Sequence, residues 1–95
     1  MVRTPQARRD LDVMYDYIAD RDPVAADALV DRIERKLGLL ADNPRLGPSR
    51  IGAVGGLRTF TVPPYLLLYQ PIRSGIRLVR VLHGARDIGA ALDAD

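Results

Sequence analysis

The sequence predicts a two-layer α+β fold, in which an antiparallel α-hairpin packs on one face of a small antiparallel sheet of three to four strands. Two amphipathic helical stripes fill the first 42 residues, and three short runs rich in Ile, Val, Leu and aromatic residues follow residue 56. Because neither helix can bury its stripe against the other alone, the remaining apolar surface needs a sheet. A chain of 95 residues with 47% hydrophobic content suits one compact domain, residues 1–95.

The first helix is predicted over residues 5–20. Thr4 supplies a hydroxyl N-cap, and Pro5 occupies the first helical position, where its missing N–H has no consequence. One apolar stripe follows at helical spacing, formed by Ala7, Leu11, Met14, Tyr15 and Ile18. Residues 1–3, ahead of this helix, can form a short edge strand at most.

The second helix is predicted over residues 23–42, because Asp22-Pro23 repeats the start signal. Its apolar stripe consists of Ala26, Leu29, Val30, Ile33, Leu37 and Leu40. Asn43 precedes Pro44 and is therefore pushed out of the α region, which ends the helix. Only a few residues link the two helices, so they are expected to form an antiparallel hairpin.

Three strands are predicted after a loop that is rich in glycine and proline, and they cover residues 57–62, 65–70 and 76–83. Pro63-Pro64 joins the first two strands. Since proline cannot supply the positive φ of a two-residue hairpin turn, this join should be wider, bulged or contain a cis bond. Asp87 can cap a short C-terminal helix over residues 88–92.

The last strand, between Gly75 and Gly84, is apolar on most of both faces, which predicts a central position in the sheet. Strict alternation places Ile76, Leu78, Arg80 and Leu82 on one face and Arg77, Val79, Val81 and His83 on the other. The strand is therefore expected to deliver positive charge, and the chain's single histidine, to one end of the sheet.

The two halves of the chain differ in charge. Residues 1–42 hold seven basic and nine acidic side chains, a balance of −2, whereas residues 43–86 hold seven arginines and no acid. A basic half indicates an anionic partner, either nucleic acid or an acidic protein segment. A GC-rich genome would explain thirteen arginines against one lysine, but it would not explain the missing acids.

The composition argues against several classes of site. Cysteine is absent and histidine occurs once, so disulfides play no part and a zinc site is not expected. No apolar run reaches the roughly 18 residues of a membrane span, and the N-terminus lacks a signal-peptide core, so a cytoplasmic location is expected. Ser49 and Ser74 lie in predicted loops, outside any nucleophile elbow. No cofactor is expected.

Arginine, tyrosine and histidine side chains on the sheet half remain as candidates. They are Arg58, Tyr65, Tyr69, Arg73, Arg77, Arg80, His83 and Arg86. Such side chains can clamp a phosphate, stack on a base, or cleave RNA by acid–base catalysis without a metal ion.

Structural roles compete with these binding roles. A buried Arg80 needs a carboxylate partner, which Asp12 or Asp16 on the first helix could provide. Tyr65 and Tyr69 share a face with Leu67, which favours core positions with a solvated hydroxyl. A single histidine at a strand end is more often structural than catalytic. Arg86 can simply brace the final turn, which leaves the arginines at positions 58, 73 and 77 the freest to meet a partner.

Four segments in order resemble the RelE/ParE superfamily of toxins from bacterial toxin–antitoxin operons, and together they cover nearly the whole chain. They are Ala7…Asp10-Leu11…Tyr17-Ile18, then Pro23…Ala25-Ala26…Ile33…Leu37…Leu40…Asn43-Pro44…Gly47, then Leu57-Arg58…Val62…Tyr65-Leu66-Leu67-Leu68-Tyr69, and finally Arg80-Val81-Leu82-His83-Gly84-Ala85-Arg86-Asp87. The closing His-Gly-Ala-Arg-Asp favours the ParE branch. RelE-like messenger RNA nucleases usually carry lysines on the sheet and often a tyrosine after the last strand, and this sequence has neither.

The resemblance implies a toxin that poisons DNA gyrase by binding, without catalytic residues of its own, and that a cognate antitoxin neutralises through an acidic and apolar C-terminal segment. The implied binding residues are Arg58, Tyr65, Arg73, Arg77, Arg80, His83 and Arg86. The alternative is a RelE-like, ribosome-dependent mRNA endonuclease that uses Arg58, Arg77, His83 and Arg86. A third possibility is a binding-only module that has lost its activity. The short first strand implies an open sheet edge for the antitoxin or another chain.

Overall fold

The computed structural model describes residues 1–49 and 56–84, and in these ranges an α-hairpin covers one face of a four-stranded sheet. The elements in chain order are β1 (Val2–Arg3), α1 (Pro5–Ala19), α2 (Pro23–Asp42), β2 (Arg58–Val62), β3 (Tyr65–Ile72) and β4 (Gly75–His83). The strand order is β1-β4-β3-β2, so β4 is central. The predicted α+β fold class is confirmed. Arg86 and the expected helix over residues 88–92 lie outside the described residues.

Both helices begin as their sequences indicate. The Thr4 hydroxyl accepts a hydrogen bond from the Ala7 amide at 3.0 Å, and the Asp22 carboxylate accepts one from the Ala25 amide at 3.1 Å. Proline follows each cap at the first helical position. Each cap satisfies an amide that would otherwise have no partner at the helix start, which contributes about 1 kcal/mol.

A polar contact also joins the two helices on their solvent side. The Tyr15 hydroxyl donates a hydrogen bond to Asp27 Oδ1 at 2.8 Å. This bond to the Asp27 carboxylate, followed by the negative charge of the same group, raises the pKa of Tyr15 above its usual value of 10.0. The hairpin is therefore held by an apolar seam inside and by this hydrogen bond outside.

The sheet is mixed, whereas the sequence analysis expected antiparallel pairing throughout. β2 and β3 pair antiparallel, as do β3 and β4, but β1 pairs parallel with β4, with Val2 opposite Arg77 and Arg3 opposite Leu78. A parallel pair needs a long crossover connection, which the two helices and the strands β2 and β3 provide. Two residues are too few for their pairing direction to be read from sequence.

A bulge in β4 changes which side chains face the helices. Leu68 pairs with Arg80 and Tyr69 pairs with Leu78, so Val79 is an extra residue on β4. Before the bulge, the residues that face the helices are Ile76 and Leu78; after it they are Val81 and His83. The predicted alternation was therefore wrong beyond Leu78, and Arg80 lies on the opposite face from the core.

The core lies between the hairpin and the helix-facing side of β2, β3 and β4. Its largest fully buried side chains are Tyr69, Ile33, Leu37, Leu40, Leu67, Ile76, Leu78 and Val62. Burial of a side chain of this size stabilises the fold by about 1.5–3 kcal/mol. The apolar stripes of both helices thus meet the sheet, as their spacing predicts.

The outer edge of β4 is closed by the start of α1 where β1 ends. The Thr4 amide donates to the Leu78 carbonyl at 3.0 Å, and the Thr4 hydroxyl donates to the Val79 carbonyl at 2.7 Å. Asp10 then accepts three hydrogen bonds, from the Val81 amide at 2.9 Å, Arg80 Nε at 2.8 Å and Arg80 Nη2 at 3.2 Å. The partner of Arg80 on α1 is therefore Asp10 rather than the Asp12 or Asp16 proposed from the sequence, because the bulge turns Arg80 toward this edge.

The segment after α2 is fixed to the sheet by Tyr69 and Arg58. The Tyr69 hydroxyl accepts from the Gly47 amide and donates to the Pro44 carbonyl, both at 2.9 Å. Arg58 Nη1 donates to the Gly47 carbonyl at 2.7 Å and to the Arg45 carbonyl at 3.2 Å. The expected solvated hydroxyl of Tyr69 is thus instead buried and bonded to backbone. Pro63-Pro64 contains a cis bond, one of the three alternatives the sequence left open.

Two glycines make a matched test of this packing. We expect Gly47→Ala to lower the free energy of unfolding by about 1–3 kcal/mol, because its Cβ would collide with the Thr59 carbonyl oxygen and lie 2.7 Å from the Tyr69 hydroxyl. Gly38→Ala, in mid-helix with open space around its Cβ, should raise it by about 1 kcal/mol. Urea unfolding measures both, and equal effects of the two changes would refute this account of the segment.

Asp10 provides a second test. Asp10→Ala leaves the Val81 amide and the Arg80 guanidinium without their acceptor, so we expect a loss of about 1–3 kcal/mol in the free energy of unfolding. Asp12→Ala, on the exposed side of the same helix, should change it by less than about 0.5 kcal/mol. Hydrogen exchange should show the Val81 amide losing protection only in the Asp10 variant; unchanged protection there would contradict the assigned hydrogen bond.

Candidate functional site

Strand pairing divides the predicted site residues between two ends of the sheet. Tyr65 pairs with His83 beside the Pro63-Pro64 turn. At the other end, Arg58 pairs with Tyr69 and Arg77 pairs with Gln70. Arg73 lies in the turn between β3 and β4, at the same end as these two arginines. Arg80 lies between the two ends, bound to Asp10, and Arg86 lies outside the described residues.

We call the end that carries Arg58, Arg73 and Arg77 the arginine end, and we include Arg45 in it. Arg45 belongs to it because its carbonyl oxygen lies 3.2 Å from Arg58 Nη1. Arg45, Arg73 and Arg77 are exposed, and Arg58 is half-buried. The sequence analysis counted Arg45 in the basic half but did not place it in a site. The signal that could have placed it is the Asn43-Pro44 helix stop, which brings the next residues back to the sheet.

The side chains at the arginine end are held to different degrees. Arg58 uses Nη1 to brace two backbone carbonyls of the preceding segment, so part of its role is structural. Arg77 Nη1 donates to the Gln70 side-chain oxygen at 3.3 Å. Within residues 1–49 and 56–84, the ion pairs are Arg3 with Glu34 and Arg80 with Asp10, and neither involves this end. Its guanidinium groups therefore keep their positive charge for an external partner.

The opposite end holds a cleft that we call the apolar groove. It has a volume of about 650 Å³ and lies between the α-hairpin and the ends of β3 and β4. It is lined by Val13, Met14, Tyr17, Ile18, Ala25, Leu29, Arg32, Pro64, Tyr65, Val81 and His83. Val13 and Tyr17, which also line it, are 70% and 59% exposed, so the apolar lining continues onto the protein surface.

Arg32, Tyr65 and His83, which line the groove, make contacts of their own. Arg32 Nη2 donates to the Pro63 carbonyl at 3.4 Å. The rings of Tyr65 and His83 meet edge to face, with centroids 5.5 Å apart and planes at 86°. Tyr65 and His83 therefore pack as part of the groove wall, and neither lies near the arginine end.

This arrangement bears on the nuclease alternative. Of its four proposed residues, Arg58 and Arg77 lie at one end and His83 at the other. His83 pairs with Tyr65 and Arg77 with Gln70, which places them five residues apart along β3, or about 17 Å. A general acid or base must be within hydrogen-bond reach of the reacting group, so these side chains do not converge on one phosphate.

The described residues lack the features of a metal site and of a membrane span. Residues 1–49 and 56–84 contain no group of three or more His, Cys, Asp or Glu side chains that could hold a metal ion. Among the same residues, neither helix has the length and apolar character needed to cross a bilayer. The described surface has exposed arginines at one end of the sheet and an apolar cleft at the other.

Comparisons with known proteins agree with this fold. Residues 2–88 match the family model for the ParE toxin of the type II toxin–antitoxin system parDE. The chain is 33% identical over 93 residues to Toxin ParE3 of Caulobacter vibrioides, covering 97% of this chain and 93% of that protein. It is 31% identical over 86 residues to Toxin RelE2 of the same organism, covering 90% and 96%.

A solved structure extends the likeness to three dimensions. The chromosomal ParDE toxin–antitoxin system of P. aeruginosa contains a chain that matches with a TM-score of 0.70 and 26% identity, covering 85% of this chain and 90% of that one. As far as Gly84, where the described residues end, the ordered segments that suggested the superfamily lie on the expected elements. This chain therefore belongs to the ParE toxin family of type II toxin–antitoxin systems, within the RelE/ParE superfamily.

Proposed function

We propose that this toxin inhibits DNA gyrase by binding, stabilises the cleaved gyrase–DNA complex and so blocks replication in the cytoplasm. The match of residues 2–88 to the ParE toxin model carries the proposal. The geometry supports a mechanism without chemistry of its own, because the candidate catalytic residues are distributed over both ends of the sheet. The arginine end and the apolar groove are suited to binding partners rather than to catalysing a reaction.

We further propose that a cognate antitoxin neutralises the toxin by filling the apolar groove. The solved relative is a ParDE toxin–antitoxin system. An acidic and apolar peptide fits the groove, because buried Met14, Leu29 and Val81 line it while the exposed Arg32 adds a positive charge. The partly exposed Val13 and Tyr17 offer apolar area that a partner would cover.

The alternative function is a ribosome-dependent mRNA endonuclease. The likeness to Toxin RelE2 at 31% identity favours it. The separation of His83 from Arg77 by about 17 Å along β3 argues against it, since the histidine that would transfer protons and the arginine that would stabilise charge must both reach one phosphate.

The gyrase proposal predicts a direct effect in a purified system. Added at stoichiometric amounts, the protein should inhibit gyrase supercoiling and increase the cleaved DNA recovered with gyrase. Primer extension on translated messages should show no new cuts, because the acid–base set does not converge. No effect on gyrase at excess protein would reject the proposal, and new message cuts that depend on His83 would establish the alternative.

The antitoxin proposal predicts which apolar side chains matter. The double variant Val13→Ala/Tyr17→Ala should weaken binding of the antitoxin encoded beside the toxin gene by about 2 kcal/mol or more, roughly 30-fold. The matched control is Leu39→Ala/Leu46→Ala, which removes apolar side chains that are also exposed but do not line the groove. Calorimetric titration measures both, and an equal loss in the control pair would place the antitoxin elsewhere.

A further inference from the structure

We propose that the arginine end binds the phosphate backbone of duplex DNA. The proposal deepens the proposed function and rests on it, because it assigns a DNA-contacting surface to a toxin that acts on a gyrase–DNA complex. The apolar groove at the opposite end of the sheet is left for the antitoxin. One small molecule thus carries two surfaces of different chemistry.

Charge and exposure single out this end. Of the described arginines that follow α2, Arg80 is bound by the Asp10 carboxylate on two of its nitrogens, whereas the four of the arginine end have no ion pair among the described residues. Asp42, the last residue of α2, is the acid closest to this end along the chain, and it pairs with none of them in the described structure. Within residues 1–49 and 56–84, the four positive charges of this end are thus not offset by an ion pair, and such a cluster attracts a polyanion.

The four arginines surround the end of the sheet. Arg58 pairs with Tyr69, which is buried in the core, whereas Arg77 pairs with Gln70, the next residue of β3. Adjacent residues of a strand point to opposite faces, so Arg58 lies on the helix side of the sheet and Arg77 on the other side. Arg73 lies in the turn between β3 and β4. Positive charge is therefore present on both faces and at the tip of this end, where a duplex would meet it end-on.

Arg58 is anchored to neighbouring backbone, which also favours a rigid polyanion as the partner of the arginine end. Arg58 is bonded to the segment that carries Arg45, and this segment is tied to Tyr69. A guanidinium held in place loses little freedom when it donates two parallel hydrogen bonds to a phosphate. An acidic and apolar peptide is better matched by the groove, where cationic and apolar side chains stand together.

The test uses the full chain, a fluorescein-labelled 20-base-pair duplex and fluorescence anisotropy at 50 to 200 mM salt. Four phosphate contacts predict a roughly 150-fold loss of affinity over this range, from a slope of about −0.9 per contact. In Arg73→Ser/Arg77→Ser, two contacts remain and the loss should fall to about 12-fold. Both residues are exposed, so the variant should keep its circular dichroism spectrum and melting temperature.

The matched control is Arg9→Ser/Arg35→Ser, which removes the same net charge from exposed positions on the helices. It should keep the salt dependence of the unaltered protein. If the control flattens the salt dependence as much as the arginine-end variant does, the attraction is general and the proposal falls. A 20-nucleotide single-stranded RNA, or a peptide of alternating glutamate and leucine, that binds more tightly than the duplex and with the same arginine dependence would also overturn it.

Gyrase assays on the same variants separate this proposal from the one on which it rests. Arginine-dependent DNA binding by a protein that leaves gyrase unaffected would keep the DNA surface and reject gyrase poisoning. Full gyrase poisoning by Arg73→Ser/Arg77→Ser would keep the target and reject the DNA surface. Reduced cleavage-complex formation by this variant alone, with the control active, is the expected result.

Discussion

The fold depends on how the outer edge of β4 is closed. This strand has β3 on one side along its full length, but only the two residues of β1 on the other. The backbone groups beyond β1 would otherwise face solvent as an edge that can pair with another chain. Thr4 and Asp10 occupy these groups with hydrogen bonds between 2.7 and 3.0 Å. The same contacts fix α1 against the sheet, which sets the position of the groove wall.

Closure of this edge also engages a cation, because the Asp10 carboxylate offsets part of the positive charge that Arg80 would present to a partner. Asp10 is only partly exposed, at 18% of its side chain, and binds Arg80 through both oxygens. The antitoxin or another chain was expected to use an open edge next to the short first strand. The contacts of Thr4 and Asp10 leave little of that edge on β4 free, so a strand-adding partner is better accommodated elsewhere on the sheet.

Local signals in the sequence were sufficient for the helices, the hairpin and the approximate strands, because caps, proline positions and apolar spacing act within a few residues. The bulge at Val79 was not accessible in this way, since the neighbouring Val-Arg-Val pattern fits either alternation and only the register with Leu68 and Tyr69 decides it. The pairing of Arg80 with Asp10 followed from that bulge. Charge segregation was evident from composition, but its division into an arginine end and an apolar groove needed the strand register.

The central position of β4 also has a consequence for synthesis. The strand that separates β1 from β3 is also the last described strand to leave the ribosome, and its bonds to Thr4 and Asp10 span 70 or more residues. Until it emerges, β1 has no neighbour and the helical stripes lack much of their cover. A nascent chain that stops before Gly75 cannot assemble this sheet. Such a chain lacks Val81 and His83 of the groove wall and Arg77 of the arginine end. The sheet can therefore form only after β4 has been synthesised.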